Sequence, residues 1–430
     1  MEGTGTASEA GETPAPLAGE GHQGGQAVWP SAPRYRLDTI PEEAARIQEV
    51  DSAIPHNFFR TARWCPDASA ILTTAEDRVL RVYKSSTEND QVLLSGAGSF
   101  RQPDAVHAAQ WYPSASATAP ETYCFMASIK DTPVRLIDAT DGRIRATYPI
   151  VDHRERFVSP HCFAFNPSSA KVYCGHESAI EVLDIANPGY DTSERLKTSL
   201  SRKETSGQKG IISSIAFCPD YSGSYVAGSY NGSVSMYSED TGANPLLHFE
   251  GVSPGGVTHL ALHPLSPTVV FVGSRKSTSI QVYDVRDVSA PLAELPRLGT
   301  TNQRLLFDVD PWGRYLTSGD EKGHLHMWDI SDLTRGEPIW SGNLHTDAVG
   351  SVQLHPYQPL LLSVSGSRSI STEYSSDSDD ESESDLDSES DSHSLPDGDP
   401  VVRARDGLPS NSTSDCLPAK TSLLSVWNFL

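Results

Sequence analysis

The sequence predicts an all-β chain folded as a seven-bladed propeller, and three observations carry that prediction. A unit of short apolar strands recurs seven times around a fixed proline. A strand of one signature follows each of those prolines at a near-constant distance. Finally, 32 Gly and 30 Pro against 4 Met, with 37% hydrophobic residues, suit many short strands and turns better than long helices. A tandem of β-sandwiches is the other architecture such strands allow.

The anchor prolines are Pro66, Pro113, Pro167, Pro219, Pro264, Pro311 and Pro356, spaced 45 to 54 residues apart. A fixed period of about 40 to 50 residues marks a repeat array. Each proline follows an apolar strand, where its missing N–H costs no ladder bond, and opens a turn. A second strand ending in small residues comes next, and then the signature strand.

Those third strands read VLRVY (79–83), VRLID (134–138), IEVLD (180–184), VSMYS (234–238), IQVYD (280–284), LHMWD (325–329) and LSVWN (424–428). Side chains alternate faces along a strand, so Leu80 and Val82 share one face while Arg81 and Tyr83 take the other. Ile280/Val282, Leu325/Met327 and Leu424/Val426 repeat the pattern. Four strands per unit with this third strand is the WD-repeat propeller signature.

Six units need 16 to 24 residues from anchor proline to the end of the third-strand motif, whereas the seventh needs 71, from Pro356 to Trp427. The surplus lies between Ser367 and Thr421 and is dominated by Ser, Asp and Glu. Such a run cannot bury enough apolar surface to offset its ordering entropy. The domain reading is therefore a disordered extension over 1–33, a propeller over 34–430, and an acidic disordered insertion over 368–421 within the last blade. The sequence reaches its end just after LSVWN, so the seventh blade needs an outer strand from elsewhere to cover an exposed edge. A segment within 34–60, around Arg34 to Ile40 or His56 to Arg60, is expected to supply it.

In a propeller the second-to-third-strand loops and the blade-to-blade loops emerge on one face. The first kind places there Lys130, Tyr230, Asn231, Arg275, Lys276, Lys322 and the insertion. The second kind adds Arg202, Lys203, Lys209, Ser253, Thr301, Asn302, Gln303 and Arg304. A crescent of Arg202, Lys203, Lys209, Arg275, Lys276 and Arg304 could hold RNA phosphates, with Tyr230 stacking on a base. Ordinary solvated loop charge is the plainer reading of the same residues.

Net charge limits the partners. The formal charge of −23 repels nucleic acid, and without the insertion and the first 34 residues there remain 38 acidic against 28 basic side chains. Any nucleic-acid function must live in a local patch, and DNA is not an expected partner. Nor is a membrane: apolar runs such as 268–273 and 360–362 fall far short of the ~20 residues a span requires. The first thirty residues lack both a basic start and an apolar stretch, so a soluble protein without a secretory signal is expected. Cys65, Cys124, Cys162, Cys174, Cys218 and Cys416 include no Cys-x-x-Cys pair and read as small core residues in a reducing compartment.

Catalytic signals are weak. Gly251-Val252-Ser253-Pro254-Gly255 matches the nucleophile-elbow pattern, but that motif needs a strand-to-helix turn and here has strands on both sides. His324 and His326 lie two apart on one strand face with no third metal ligand evident, and read as polar residues flanking a strand. Phosphate-cradling and dinucleotide motifs are absent. Neither an enzyme nor a cofactor is expected. Ser375, Ser376, Ser378, Ser382 and Ser384 sit among acidic residues and suit an acid-directed kinase, each phosphate adding about −2 charge. A solubilising spacer is the alternative.

Four stretches carry a resemblance to one family. They are NFFRTARWCPDASAILTTAEDRVLRVY (57–83), GIISSIAFCPD (210–220) with GSYNGSVSMY (228–237), GGVTHLALHP (255–264) with SRK (274–276), and TTNQRLLFDVDPWGRYLTSG (300–319). The chain resembles the telomerase Cajal body protein family of WD-repeat RNA-binding scaffolds over all seven units. The resemblance implies a nuclear scaffold, in Cajal bodies or nucleoplasm with the cytoplasm also open, for box H/ACA small Cajal body RNAs and telomerase RNA. Its simpler relatives are linked to splicing and small nuclear RNA assembly. By position it points to Arg275 and to Asn302, Gln303 and Arg304 as the RNA or partner surface. The partners it implies are such an RNA and its ribonucleoprotein proteins; a chaperonin is expected as a folding aid for a propeller. A protein-only adaptor gripping peptides or chaperone clients is the rival reading.

Overall fold

The computed structural model describes residues 31–48, 54, 57–88, 91–199, 207–368 and 422–430. The expectations for residues 1–30 and 369–421, the five serines and Cys416 among them, lie outside the described residues, as do Arg202 and Lys203.

The chain forms seven four-stranded sheets, six of them built from consecutive strands. Blade one runs Phe59–Trp64, Ala70–Ala75, Val79–Glu88 and Gln91–Arg101. All seven signature motifs are third strands, from Val79–Glu88 to Leu423–Asn428. The alternation chooses the buried faces: Leu80 and Val82 pack with Trp111, Phe125 and Ile129 of the next blade, none above 4% exposed. Cys65, Cys124, Cys162, Cys174 and Cys218 are buried free thiols.

The seventh sheet is the composite one, ordered Val349–Leu354, Leu360–Ser365, Leu423–Asn428 and Glu42–Gln48. Its outer strand thus comes from within 34–60, but from neither of the two stretches expected to supply it. Glu42–Gln48 pairs antiparallel with Leu423–Asn428, Ala45 opposite Val426 and Ile47 opposite Leu424. Ala44, Ala45 and Ile47 then pack on the core shared with blade one, beside Tyr83, Val92 and Leu94 of its long outer hairpin. The stretch around Arg34 to Ile40 instead lies beside the chain end: Arg36 N donates to Phe429 O at 2.8 Å, and the Tyr35 ring meets Tyr315 and Phe429 edge-on. Phe59 and Arg60 open the innermost strand of blade one.

A hydrogen-bonded chain ties the last blade together. Trp427 Nε1 on the third strand donates to Ser363 Oγ on the second at 2.8 Å, and His345 Nε2, from the loop entering the blade, contacts the same oxygen at 2.8 Å. All three side chains are buried, so this network satisfies polar groups that water cannot reach.

One irregularity prepares the site. In blades one, two, four, five and seven the register of the innermost strand shifts at the same place, across Phe59/Thr61, Val106/Ala108, Ile212/Ser214, Val257/His259 and Val349/Ser351. A bulge adds an unpaired residue and re-aims its side chain and carbonyl. The extra residues are Arg60, His107, Ser213, Thr258 and Gly350.

Candidate functional site

The innermost strands enclose a channel of about 1080 Å³. At one end it is lined by Arg60, Glu76, Tyr230, Arg275, Thr301 to Arg304, Glu321, Asp347 and Arg368, and at the other by Trp64, Pro66, Trp111 and Pro113. The bulged residues Arg60, His107, Ser213 and Thr258 line it as well, with His161 and Leu306 beside the innermost strands of the two blades whose inner strands keep regular register.

Three loops from blades four, five and six meet at the first end, called the mouth. The Arg275 guanidinium lies 4.2 Å from the centroid of the Tyr230 ring, and that of Arg304 lies 5.9 Å from it. Arg304 also reaches down the channel wall, donating to Ser213 O at 2.8 Å and Thr258 O at 3.2 Å, both carbonyls turned out by the bulges. Arg275 makes no ion pair among the described residues, and its Nε, like that of Arg304, is buried without a hydrogen-bond partner. Close backbone approach builds this arrangement: Gly255 packs against Arg275 O and Gly256, at φ 83°, against Tyr230 O, where a Cβ would sit 1.9 and 2.2 Å from those oxygens.

The carboxylates at the mouth are engaged by the chain itself. Glu76 accepts from Arg368 at 2.9 Å and pairs with Arg60 at 3.3 Å. Glu321 accepts from Thr300 N at 2.7 Å, and Asp347 from Ser367 Oγ and Ala348 N, both at 2.8 Å. A negative ligand therefore meets guanidinium groups without an equal set of loose carboxylates beside them.

Below Tyr230 lie two stacked imidazoles. His107 and His161 are parallel at 4.8 Å, and His161 meets Tyr230 edge-on at 6.4 Å. Burial lowers the His107 pKa and carries that of His161 down to about 4, helped by His107 and Arg304, so both rings are neutral at pH 7. Deeper still, burial pushes the His259 pKa far down, and that of Asp308, facing Arg63 at 4.0 Å, up to about 6.

Of the residues singled out in the sequence, Tyr230, Arg275, Asn302, Gln303 and Arg304 line the mouth. Asn302 is exposed, whereas Gln303 spends its amide on Gly366 O at 2.8 Å and so braces the last blade. Lys209 and Lys276 do not line the channel: Lys209 O accepts from Ser229 Oγ, and Lys276 is exposed on a turn at φ 49°. Arg60, His107, His161 and Arg368 were not anticipated. Ser253 lies in a turn between strands Leu247–Phe249 and Val257–His263 and accepts from Gly255 N. Asp320 stands beside His324 and His326 at 3.0 and 3.6 Å, but it closes its own turn by accepting from Lys322 N and His324 N. Among the described residues no cluster has the makings of a metal site, and no helix is long and apolar enough to cross a membrane.

Similarity to known proteins accompanies this geometry. No family model matches the chain. It is 33% identical over 345 residues to Telomerase Cajal body protein 1 of Rattus norvegicus, covering 78% of this chain and 63% of that protein. To the Homo sapiens protein of the same name it is 33% identical over 354 residues, covering 80% and 62%. It is 30% identical over 317 residues to Guanine nucleotide-binding protein negative regulator 1 of Schizosaccharomyces pombe, covering 70% of this chain and 77% of that one. The chain spans somewhat less than two thirds of the length of the mammalian relatives. With seven WD-type blades and these relatives, the chain belongs to the telomerase Cajal body protein family of WD-repeat propellers.

Proposed function

We propose that the chain is a non-enzymatic scaffold that binds small nuclear or Cajal body-type RNA at the channel mouth and supports assembly or localisation of the particle in the nucleus. The observation that carries this reading is the pair of guanidinium groups on one tyrosine, Arg275 at 4.2 Å and Arg304 at 5.9 Å, on a rim whose carboxylates are each engaged by other groups of the chain. Guanidinium groups bind phosphate, and rings beside them accept unstacked bases. The relatives' name couples telomerase with the Cajal body, which supports a telomerase or Cajal body particle as the client. Box H/ACA-class and telomerase RNA, their particle proteins and a chaperonin assisting the ring to fold complete the proposal. Crosslinking the full chain in cells and sequencing the attached RNA tests this. Enrichment of small nuclear RNAs is expected; a library indistinguishable from background overturns it.

A protein-only adaptor is the second reading. It is favoured by apolar side chains on turns that follow the anchor prolines, where Tyr221, Leu265 and Tyr357 are 79%, 73% and 49% exposed. Salt separates the two, since phosphate contacts weaken steeply as salt rises and apolar contacts do not.

A further inference from the structure

Just inside the mouth, below the guanidinium groups of Arg275 and Arg304, the channel is lined by Tyr230, His161 and His107. Their rings form a contiguous series, His107 stacked on His161 at 4.8 Å and His161 edge-on to Tyr230 at 6.4 Å. Cation chemistry lies at the rim and uncharged donor–acceptor chemistry beneath it. A phosphodiester fits the first and a heteroaromatic base the second.

We propose that the mouth takes one unpaired nucleotide, its phosphate on Arg275 and Arg304 and its base inserted past Tyr230 against the His107–His161 stack. The inference rests on the RNA reading above and adds to it that one base leaves the rim, enters the channel and rests on the His107–His161 stack. Neutral imidazoles suit that role, because an uncharged ring face stacks on a base without repelling the guanidinium groups nearby. An acidic peptide would use the rim but would leave the rings unused.

The test is fluorescence anisotropy with the full chain and two probes of equal charge: a randomised eight-nucleotide single-stranded RNA, and an eight-unit abasic ribose-phosphate strand. Base stacking on aromatic rings predicts that the RNA binds about tenfold tighter or more. His161→Ala should erase most of that advantage while leaving the abasic strand's affinity within about twofold, with thermal melting confirming the fold. His161→Gln, which keeps a polar side chain but not the ring, guards against misfolding of the alanine variant and should behave like it. Equal binding of the two strands overturns base insertion and leaves the RNA reading standing. Binding of neither strand overturns the RNA reading and this inference with it.

Discussion

Arg275 and Arg304 share one tyrosine but differ in what else holds them, and this separates binding from stability. Replacing Arg275 by Met removes a guanidinium whose contact within the chain is the Tyr230 ring at 4.2 Å. A cation–π contact at a partly exposed site contributes about 0.5–1 kcal/mol, so folding stability should fall by no more than that. Replacing Arg304 by Met also strips Ser213 O and Thr258 O of their donor at 2.8 and 3.2 Å. Leaving a buried acceptor unsatisfied costs about 1–3 kcal/mol, so this variant should lose at least twice as much stability. For RNA the two should look alike, each losing one phosphate contact and lowering the slope of log affinity against log salt by about 0.7. Urea unfolding and anisotropy with a single-stranded RNA between 50 and 300 mM salt read both quantities. An Arg275→Met variant with an unchanged salt slope, or one destabilised as much as Arg304→Met, would refute the reasoning.

Other expectations follow from single contacts. Ser363→Ala leaves Trp427 Nε1 and His345 Nε2 without their shared partner, which should cost about 2–6 kcal/mol, two orphaned groups at roughly 1–3 each, read as a large drop in the urea midpoint. Burial lowers the His345 pKa to about 4, beside Glu43 and Arg46. The unfolded imidazole therefore takes up a proton that the folded one refuses, and the stability held above pH ~6.5 should decline by up to about 3 kcal/mol as pH falls to 4. A His345→Gln variant should reduce the slope of melting temperature against pH across that window, the other buried histidines keeping the remainder; an identical slope in wild type and variant would count against it. Deleting 370–415, a segment rich in Asp and Glu, should tighten RNA binding if that charge competes for the mouth; unchanged affinity in anisotropy would remove the competition.

The blades were legible because proline and third strand are local signals that recur. Pro66 to Pro356 and VLRVY to LSVWN each mark a unit without reference to any other. The strand that completes the ring was located only broadly. Glu-Glu-Ala-Ala-Arg-Ile reads as a helix by propensity, and its partner, Leu423–Asn428, lies at the far end of the sequence. There tertiary pairing overrides local preference.

The mouth was half legible. Tyr230, Arg275 and Arg304 lie in loops, where a charged or aromatic residue is conspicuous. Arg60 and His107 sit in apolar strands, and a strict period of two gives no reason to aim them at the channel, because the bulge that does so is invisible in the alternation. A signal did exist: Arg60, His107, His161, Ser213 and Thr258 each stand six residues before an anchor proline, a polar residue at one position of five successive units.

The most direct test of the mouth as an RNA interface is ultraviolet crosslinking of the full chain to RNA followed by mass spectrometry of the crosslinked peptides. Nucleotide adducts are expected on peptides carrying Tyr230, Arg275 or His161. Adducts confined to the turns around Tyr221, Leu265 or Tyr357 would contradict the account.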